Sequence, residues 1–262
     1  MMFNVVSSAR SVIQKKFLSS SVVQSDFVTA ATISKDIIDA NLQRSRQHLT
    51  PELDLYLLTS SCPMYHAPAD HHPLGSSSSD PWWAIYWPGG QVLTRIILDN
   101  PNLVRNKMVL DLGSGCGAVS LAAALAGAKK IVANDIDVNA STALHMNSEI
   151  NNLEQCYSSI EFTTQNFLFD GDCESLENFD TLVIGDMFYD QDIGKAVLDL
   201  CQRFKQMSPN KTVLVGDPGR WFMKSSNDII DDMFECCAKY SLPEVTRQEN
   251  YGFDHALVWK MK

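Results

Sequence analysis

The sequence predicts an α/β fold: a doubly wound, mostly parallel seven-stranded sheet with a terminal β-hairpin and an N-terminal helical extension. Three observations predict it. From residue 108 onward, short apolar runs alternate with segments of helical periodicity, the pattern of parallel strands joined by crossover helices. The first run, Val109–Leu112, ends in a glycine turn that leads straight into a helix-forming stretch, Val119–Ala126. Near the end, the segments Glu244–Gln248 and Ala256–Lys260 follow one another with little helix between them, as the arms of a hairpin would.

The elements follow in order. Ile33, Ile37, Ile38 and Leu42 recur at helical spacing and predict a helix over 34–46. Leu49–Thr59 has no decisive period, and Pro51 is suited to opening a short helix. Cys62–Pro81 reads as a surface loop, with Pro63, Pro68, Pro73, Pro81 and the run Ser76–Ser79. Cys62, His66, His71 and His72 fall there without zinc-ligand spacing and with no second ligand pair after them, so no metal is assigned. The aromatic block Trp82–Trp83–Ala84–Ile85–Tyr86–Trp87 precedes a helix over 91–98 and a first strand that ends at the glycine turn. Lys130–Asp135 is the second strand, 159–164 the third, Thr181–Gly185 the fourth and Thr212–Gly216 the fifth. Helices are predicted over 138–150, with Asp137 as the cap, and over 191–206 and 227–240. Cys236 and Cys237 are then core or near-core thiols of the last of these.

The chain divides into a leader over 1–25, an extension over 26–81 and a catalytic-type domain over 82–262. Its 262 residues, 45% of them hydrophobic, suffice for one large core in a single domain. No apolar run approaches the ~18 residues of a membrane span. A net charge of −10 argues against nucleic acid and favours a basic protein surface as partner. Seven cysteines without a C-x-x-C pair fit a reducing compartment. The first 25 residues carry Arg10, Lys15 and Lys16, no acid before Asp26, many serines, and Phe3, Val6, Ile13 and Phe17 along one helical side. That is the composition of a mitochondrial transit peptide, and it places the protein in the mitochondrial matrix.

The glycine turn carries the chemistry. Asp111–Leu112–Gly113–Ser114–Gly115–Cys116–Gly117 spaces its glycines as G-x-G-x-G, and Ala118 stands where the third glycine of a dinucleotide fingerprint, G-x-G-x-x-G, would fall. Asp111, just before the glycines, would repel a pyrophosphate but suits a cationic ligand. S-adenosylmethionine, with an ammonium and a sulfonium, meets that requirement. Asp135 lies about 20 residues past the glycines, at the end of the second strand, placed to accept both ribose hydroxyls. The cofactor-binding candidates are therefore Asp111, Gly113, Gly115, Gly117 and Asp135. Trp87, beside the Pro88–Gly90 turn, joins them, as does Asn166 after the third strand, a candidate for the adenine with Phe167 against its face. After the fourth strand, Gly185–Asp186–Met187–Phe188–Tyr189–Asp190 offers a carboxylate and a hydroxyl where a methyl acceptor should arrive. Asp186 and Tyr189 are the catalytic candidates. After the fifth, Asp217 and Arg220 form a charged lip.

These stretches resemble a known family. His48–Leu53, the block Tyr86–Gln91, Asp111–Ala118, Asn134–Asp137, Gly185–Asp190, Gly216–Arg220 and Thr246–Asn250 together look like the electron transfer flavoprotein β-subunit lysine methyltransferases, a mitochondrial branch of the seven-β-strand, Rossmann-like class I methyltransferases. The Ser76–Ser79 run and the last ten residues depart from the family pattern. The resemblance implies methylation of lysines on the flavoprotein's β subunit, damping its electron exchange with dehydrogenases. It also maps the family's Asp-x-x-Tyr element of substrate engagement onto Asp186 and Tyr189. Asp186 is then expected to bind and orient the acceptor ammonium, with Tyr189 as a wall. The competing readings are a related enzyme acting on another protein such as a ribosomal protein, a non-catalytic S-adenosylmethionine-binding module, and a Rossmann dehydrogenase.

Overall fold

A computed structural model describes residues 33–66, 80–169 and 174–262. The leader over 1–25, His71, His72 and Ser76–Ser79 lie outside the described residues. The extension opens with helix α1 (Lys35–Asn41), capped by Ser34, whose side chain accepts from the Ile37 N–H. The helix stops at Asn41, short of the expected end, because beyond Leu42 no apolar residue continues the stripe. Gln43–Ser45 instead becomes strand β1, pairing antiparallel with β2 (Leu55–Leu57). Arg44 closes the pair with an ion pair to Asp54 at 2.6 Å. Cys62 and His66 are bonded locally, to Leu57 O and Ser60 O.

Helix α2 (Pro88–Asp99) starts three residues earlier than its apolar periodicity suggested, since Pro88 fits the first turn without needing an N–H partner. Its buried face, Val92, Leu93, Ile96 and Ile97, lies across the sheet. Then come β3 (Met108–Leu112), α3 (Ala118–Leu125), β4 (Lys130–Asn134), α4 (Asn139–Ile150), α5 (Glu154–Tyr157), β5 (Ile160–Thr163), β6 (Thr181–Gly185), α6 (Gln191–Met207) and β7 (Thr212–Asp217). Strands β3, β4, β6 and β7 are apolar at their centres, as strands covered on both faces must be, whereas β5 exposes Glu161. With β8 (Phe234–Ser241) and β9 (His255–Met261) near the end of the chain, seven strands among the described residues form the main sheet, in the order β5-β4-β3-β6-β7-β9-β8. All neighbours are parallel except β9 with β7 and β8. The direction of winding reverses between β3 and β6, which opens a crevice at their carboxyl ends. One core cluster packs α2, α3 and β2 on one face, and a second packs α6 and Phe188 on the other.

The end of the chain differs in detail from expectation. Helices α7 (Trp221–Ser225) and α8 (Asn227–Met233) are followed by strand β8 (Phe234–Ser241), so the helix expected through Tyr240 ends at Met233. Cys236 and Cys237 are accordingly exposed on an edge strand, at a register shift, and not core thiols of a helix. The hairpin partner of β9 (His255–Met261) is β8. Glu244–Gln248, expected as a strand, lies in helix α9 (Glu244–Glu249), which Pro243 initiates with its fixed φ of −58°. Thr246 docks this helix by donating to Gln91 Oε1 at 3.2 Å.

Candidate active site

Three tight structures meet at the carboxyl edge of the sheet. The first is the glycine turn. Gly113, Gly115 and Gly117 all take left-handed backbone conformations, with φ of 70°, 52° and 82°. Ser114 N–H donates to Asn134 O at 2.8 Å, which ties the turn to the end of β4. Gly115 N–H donates to Asp135 Oδ2 at 3.0 Å, so the two strands that sequence reasoning paired are joined directly. Asp137 N–H donates to the other oxygen, Oδ1, at 2.9 Å. Asp137 itself accepts from Asn139 N–H at 3.0 Å, but α4 begins at Asn139 and Val138 holds the cap position, one residue later than expected.

Asp111 lies beneath this turn, 2% exposed, with Ser120 Oγ donating to its Oδ2 at 2.6 Å. Burial pushes its carboxyl up to about 7, the hydroxyl bond opposes this, and Asp135 adds to it. A buried carboxylate with no ion pair among the described residues suits a cationic ligand. The turn above it is left clear by glycine: a Cβ on Gly113 would come within 3.1 Å of Met187 Sδ, and one on Gly115 within 3.4 Å of Trp83 O. Buried Ser114 Oγ has no hydrogen-bond partner among the described residues. These features fit an adenosyl ligand with a cationic tail. Gly117 serves packing: its Cβ would sit 2.9 Å from Leu144 Cβ.

The second structure is the start of α2, laid directly on the ends of β6 and β7. A Cβ on Gly89 would be 2.6 Å from Asp186 N, and one on Gly185 would be 3.1 Å from Gly90 Cα. Only glycine allows this contact, and through it Gly89 N–H reaches Asp186 Oδ2.

The third structure is built around Asp186. It follows β6 in a left-handed conformation, φ 57°, held by its N–H donating to Gly216 O at 2.9 Å. Arg220 Nε donates to its Oδ1 at 2.6 Å, and both side chains are nearly buried. The Arg220 guanidinium lies over Trp87, Tyr251 and Phe253, 5.3, 5.7 and 5.2 Å from the ring centres. Asp217, fully buried, accepts from the N–H groups of Gly219 and Arg220 at 2.6 and 2.7 Å. Burial and the neighbouring Asp186 push its carboxyl up to about 7. Tyr189 stands at the rim, 40% exposed, and Asp190 caps α6 by accepting from Asp192 N–H at 2.8 Å.

Asp111, Gly113, Gly115 and Asp135 thus converge, and Met187 links their turn to Asp186. Trp87 belongs to the Arg220 side, with its Nε1 donating to Trp82 O at 3.0 Å. Asn166 is buried at the end of β5, in a loop pinned by Asn134 Nδ2 donating to Gln165 O at 2.8 Å. Phe167 is buried in the core cluster that also holds Leu110 and Leu112. Sequence reasoning missed Tyr251, Phe253 and Met187. Only the closeness of Met187 to Asp186 in sequence signalled any of them.

Fold and site define an S-adenosylmethionine-dependent class I methyltransferase. The family model for ribosomal protein L11 methyltransferase (PrmA) matches residues 94–183. The electron transfer flavoprotein beta subunit lysine methyltransferase of Homo sapiens is 45% identical over 215 residues, 80% of this chain and 75% of that protein. The homologue of that enzyme from Caenorhabditis elegans is 37% identical over 232 residues, 83% of this chain and 91% of its own. The chain belongs to the family of electron transfer flavoprotein beta subunit lysine methyltransferases. Among solved structures, the N-methyltransferase NodS from Bradyrhizobium japonicum, in complex with S-adenosyl-L-homocysteine, aligns over 71% of this chain and 92% of its own, with 15% identity and a TM-score of 0.48.

Proposed function

We propose that this protein methylates lysine side chains of the electron transfer flavoprotein β subunit in the mitochondrial matrix, after removal of a leader near residue 25, and so damps that flavoprotein's electron exchange with dehydrogenases. The observation that carries the reading is that the glycine cradle and the Asp186–Tyr189 turn open on the same carboxyl edge, in a chain that covers 75–91% of relatives bearing that name. S-adenosylmethionine supplies a sulfonium methyl carbon, to which the acceptor nitrogen lone pair bonds as the carbon–sulfur pair returns to sulfur. The chain's residues do the rest. Asp111 would hold the ligand's ammonium, Asp135 its ribose hydroxyls, and the Gly113–Gly115 backbone lets it approach closely. Asp186 would receive the acceptor amine, and Tyr189 would wall its path.

A lysine with a pKa near 10.4 is neutral in only about one molecule in 2,500 at pH 7, so the site must favour the neutral amine as well as hold it in line. The PrmA match raises a ribosomal substrate as a second reading. It runs only through α2 to β6 and stops before Asp186, so it speaks for the cofactor half and not for the acceptor. The test is to incubate the protein and labelled S-adenosylmethionine with a mitochondrial extract from a strain lacking it. The label should appear on the flavoprotein β subunit by mass spectrometry, and label only on a ribosomal or other protein would overturn the proposal.

A further inference from the structure

Asp186 is not offered to an acceptor as a bare carboxylate. Oδ1 accepts from Arg220 Nε at 2.6 Å, Oδ2 accepts from Gly89 N–H, and the arginine side chain is only 11% exposed. Three aromatic rings, on Trp87, Tyr251 and Phe253, surround the guanidinium and keep it from swinging into water. A bare buried carboxylate would bind a lysine but would also raise its pKa, holding the proton on the nitrogen that must react. A carboxylate already balanced by arginine behaves differently. Its oxygens keep lone pairs able to accept an N–H, while the fixed guanidinium charge disfavours a second cation nearby.

We propose that Arg220 is a positioning residue for methyl transfer: it holds Asp186 as a charge-balanced hydrogen-bond acceptor, so that the substrate lysine settles there as the neutral amine. This rests on the reading of Asp186 as the partner of the acceptor amine, and it gives the aromatic trio a purpose, to hold the guanidinium in register. The charged and titratable groups facing the pair are few. Asp217 comes from the end of β7, with Oδ2 lacking a hydrogen-bond partner among the described residues. Lys224 comes from α7, its Nζ 5.9 Å from the Phe253 ring centre, and the Tyr251 phenol comes from the α9–β9 loop. Tyr189 and Asp190 lie on the Asp186 turn, Asp190 being committed to its cap. Helix α2 contributes the Gly89 N–H and no charge to this corner.

The test is the pH profile of kcat/KM from pH 6 to 10, with purified electron transfer flavoprotein as acceptor, for the wild type, Arg220→Gln, Arg220→Lys, Asp186→Asn and the double variant Arg220→Gln/Asp217→Asn. Arg220→Gln should move the acid limb upward by about one to two pH units, the size of one unit charge removed at short range in a partly buried site. Its deficit is then roughly 10- to 100-fold near pH 7.5 and shrinks above pH 9. Arg220→Lys should return the limb toward wild type. The double variant should keep it displaced, which removes titration of Asp217 as the cause.

Calorimetry gives a readout independent of turnover. Flavoprotein binding in the presence of S-adenosyl-L-homocysteine should release close to one proton near pH 8 with the wild type and clearly fewer with Arg220→Gln. Affinity for S-adenosylmethionine, unchanged within about threefold, serves as the check of folding. A deficit of Arg220→Gln equal at every pH, with unaltered proton release, would overturn the role of Arg220 while leaving Asp186 in place. Undiminished turnover of Asp186→Asn would overturn the reading of Asp186 itself.

Discussion

Replacing Asp111 by Asn should make the ligand-free protein more stable and its cofactor site worse, and both effects follow from one buried carboxyl. The group is fully enclosed, and its pKa rises from a free aspartate's 3.8 to about 7 on folding. The folded state therefore holds the proton more tightly than the unfolded chain. Stability is unaffected by this group below pH 4, falls as pH rises from about 4 to 7, and is flat above. A rise of about three units at ~1.4 kcal/mol each makes the ionised carboxyl cost about 4 kcal/mol above pH 7. Asn keeps an oxygen for the Ser120 hydroxyl, which now donates at 2.6 Å, and removes the ionisation. Allowing for imperfect fit of the new amide, Asp111→Asn should gain roughly 1–3 kcal/mol at pH 8 and nothing at pH 4.5, read by urea unfolding at both values. The same carboxyl must ionise to meet a cationic ligand. Wild-type affinity for S-adenosylmethionine should then drop about fivefold between pH 7 and pH 6, and binding near pH 7 should release about half a proton, visible as buffer-dependent calorimetric enthalpy. The variant should bind at least tenfold more weakly and lose that component of the pH dependence, with titration of the ligand's own amine common to both proteins. Equal destabilisation of the variant at pH 4.5 and pH 8, or a wild-type affinity flat from pH 6 to 8, would refute the reasoning.

Three further outcomes follow. Gly117→Ala forces a side chain into a left-handed position, φ 82°, with its Cβ 2.9 Å from Leu144 Cβ and 3.1 Å from its Cα; it should cost about 2–4 kcal/mol in denaturant unfolding, and a loss below ~1 kcal/mol would contradict the packing. Tyr251→Ala removes one face of the arginine enclosure and an exposed part of the rim, so it should raise KM for the flavoprotein several-fold while leaving S-adenosylmethionine affinity unchanged by calorimetry; a matching loss of cofactor affinity would place Tyr251 elsewhere in the mechanism. With a net charge of −10, the protein should be steered to a basic surface, so raising salt from about 50 to 300 mM should raise KM for the protein acceptor with kcat little changed, and a salt-independent KM would remove steering from the account.

What the sequence made legible is what neighbours in the chain decide. The strands β3, β4, β6 and β7 are continuous apolar runs, and the glycine turn announces itself because no other residue can take three left-handed conformations in five positions. The end of the chain departs from expectation where local pattern is weakest. Cys236–Cys237–Ala238–Lys239–Tyr240 has no helical stripe, and its pairing with β9 is a tertiary choice that a short window does not contain. Glu244–Gln248, expected as a hairpin arm, is instead helix α9, because Pro243 sets up a helical first turn and the β9 edge is taken by β8.

The site divides along this line. Its cofactor half, Asp111 to Asp135, spans a single β-α-β unit, and the PrmA model matches that half without reaching Asp186. The acceptor half proposed above draws on Asp186 after β6, Arg220 after β7 and Tyr251 before β9, with Trp87 before α2 packed on the guanidinium, joined only when the sheet closes. An enzyme so divided can keep one methyl donor while its acceptor changes, because substitutions around Arg220 leave the β3–β4 cradle untouched. Donor affinity and acceptor selectivity should therefore separate cleanly in variants of this protein, and the Arg220 enclosure is where selectivity for the acceptor would be set.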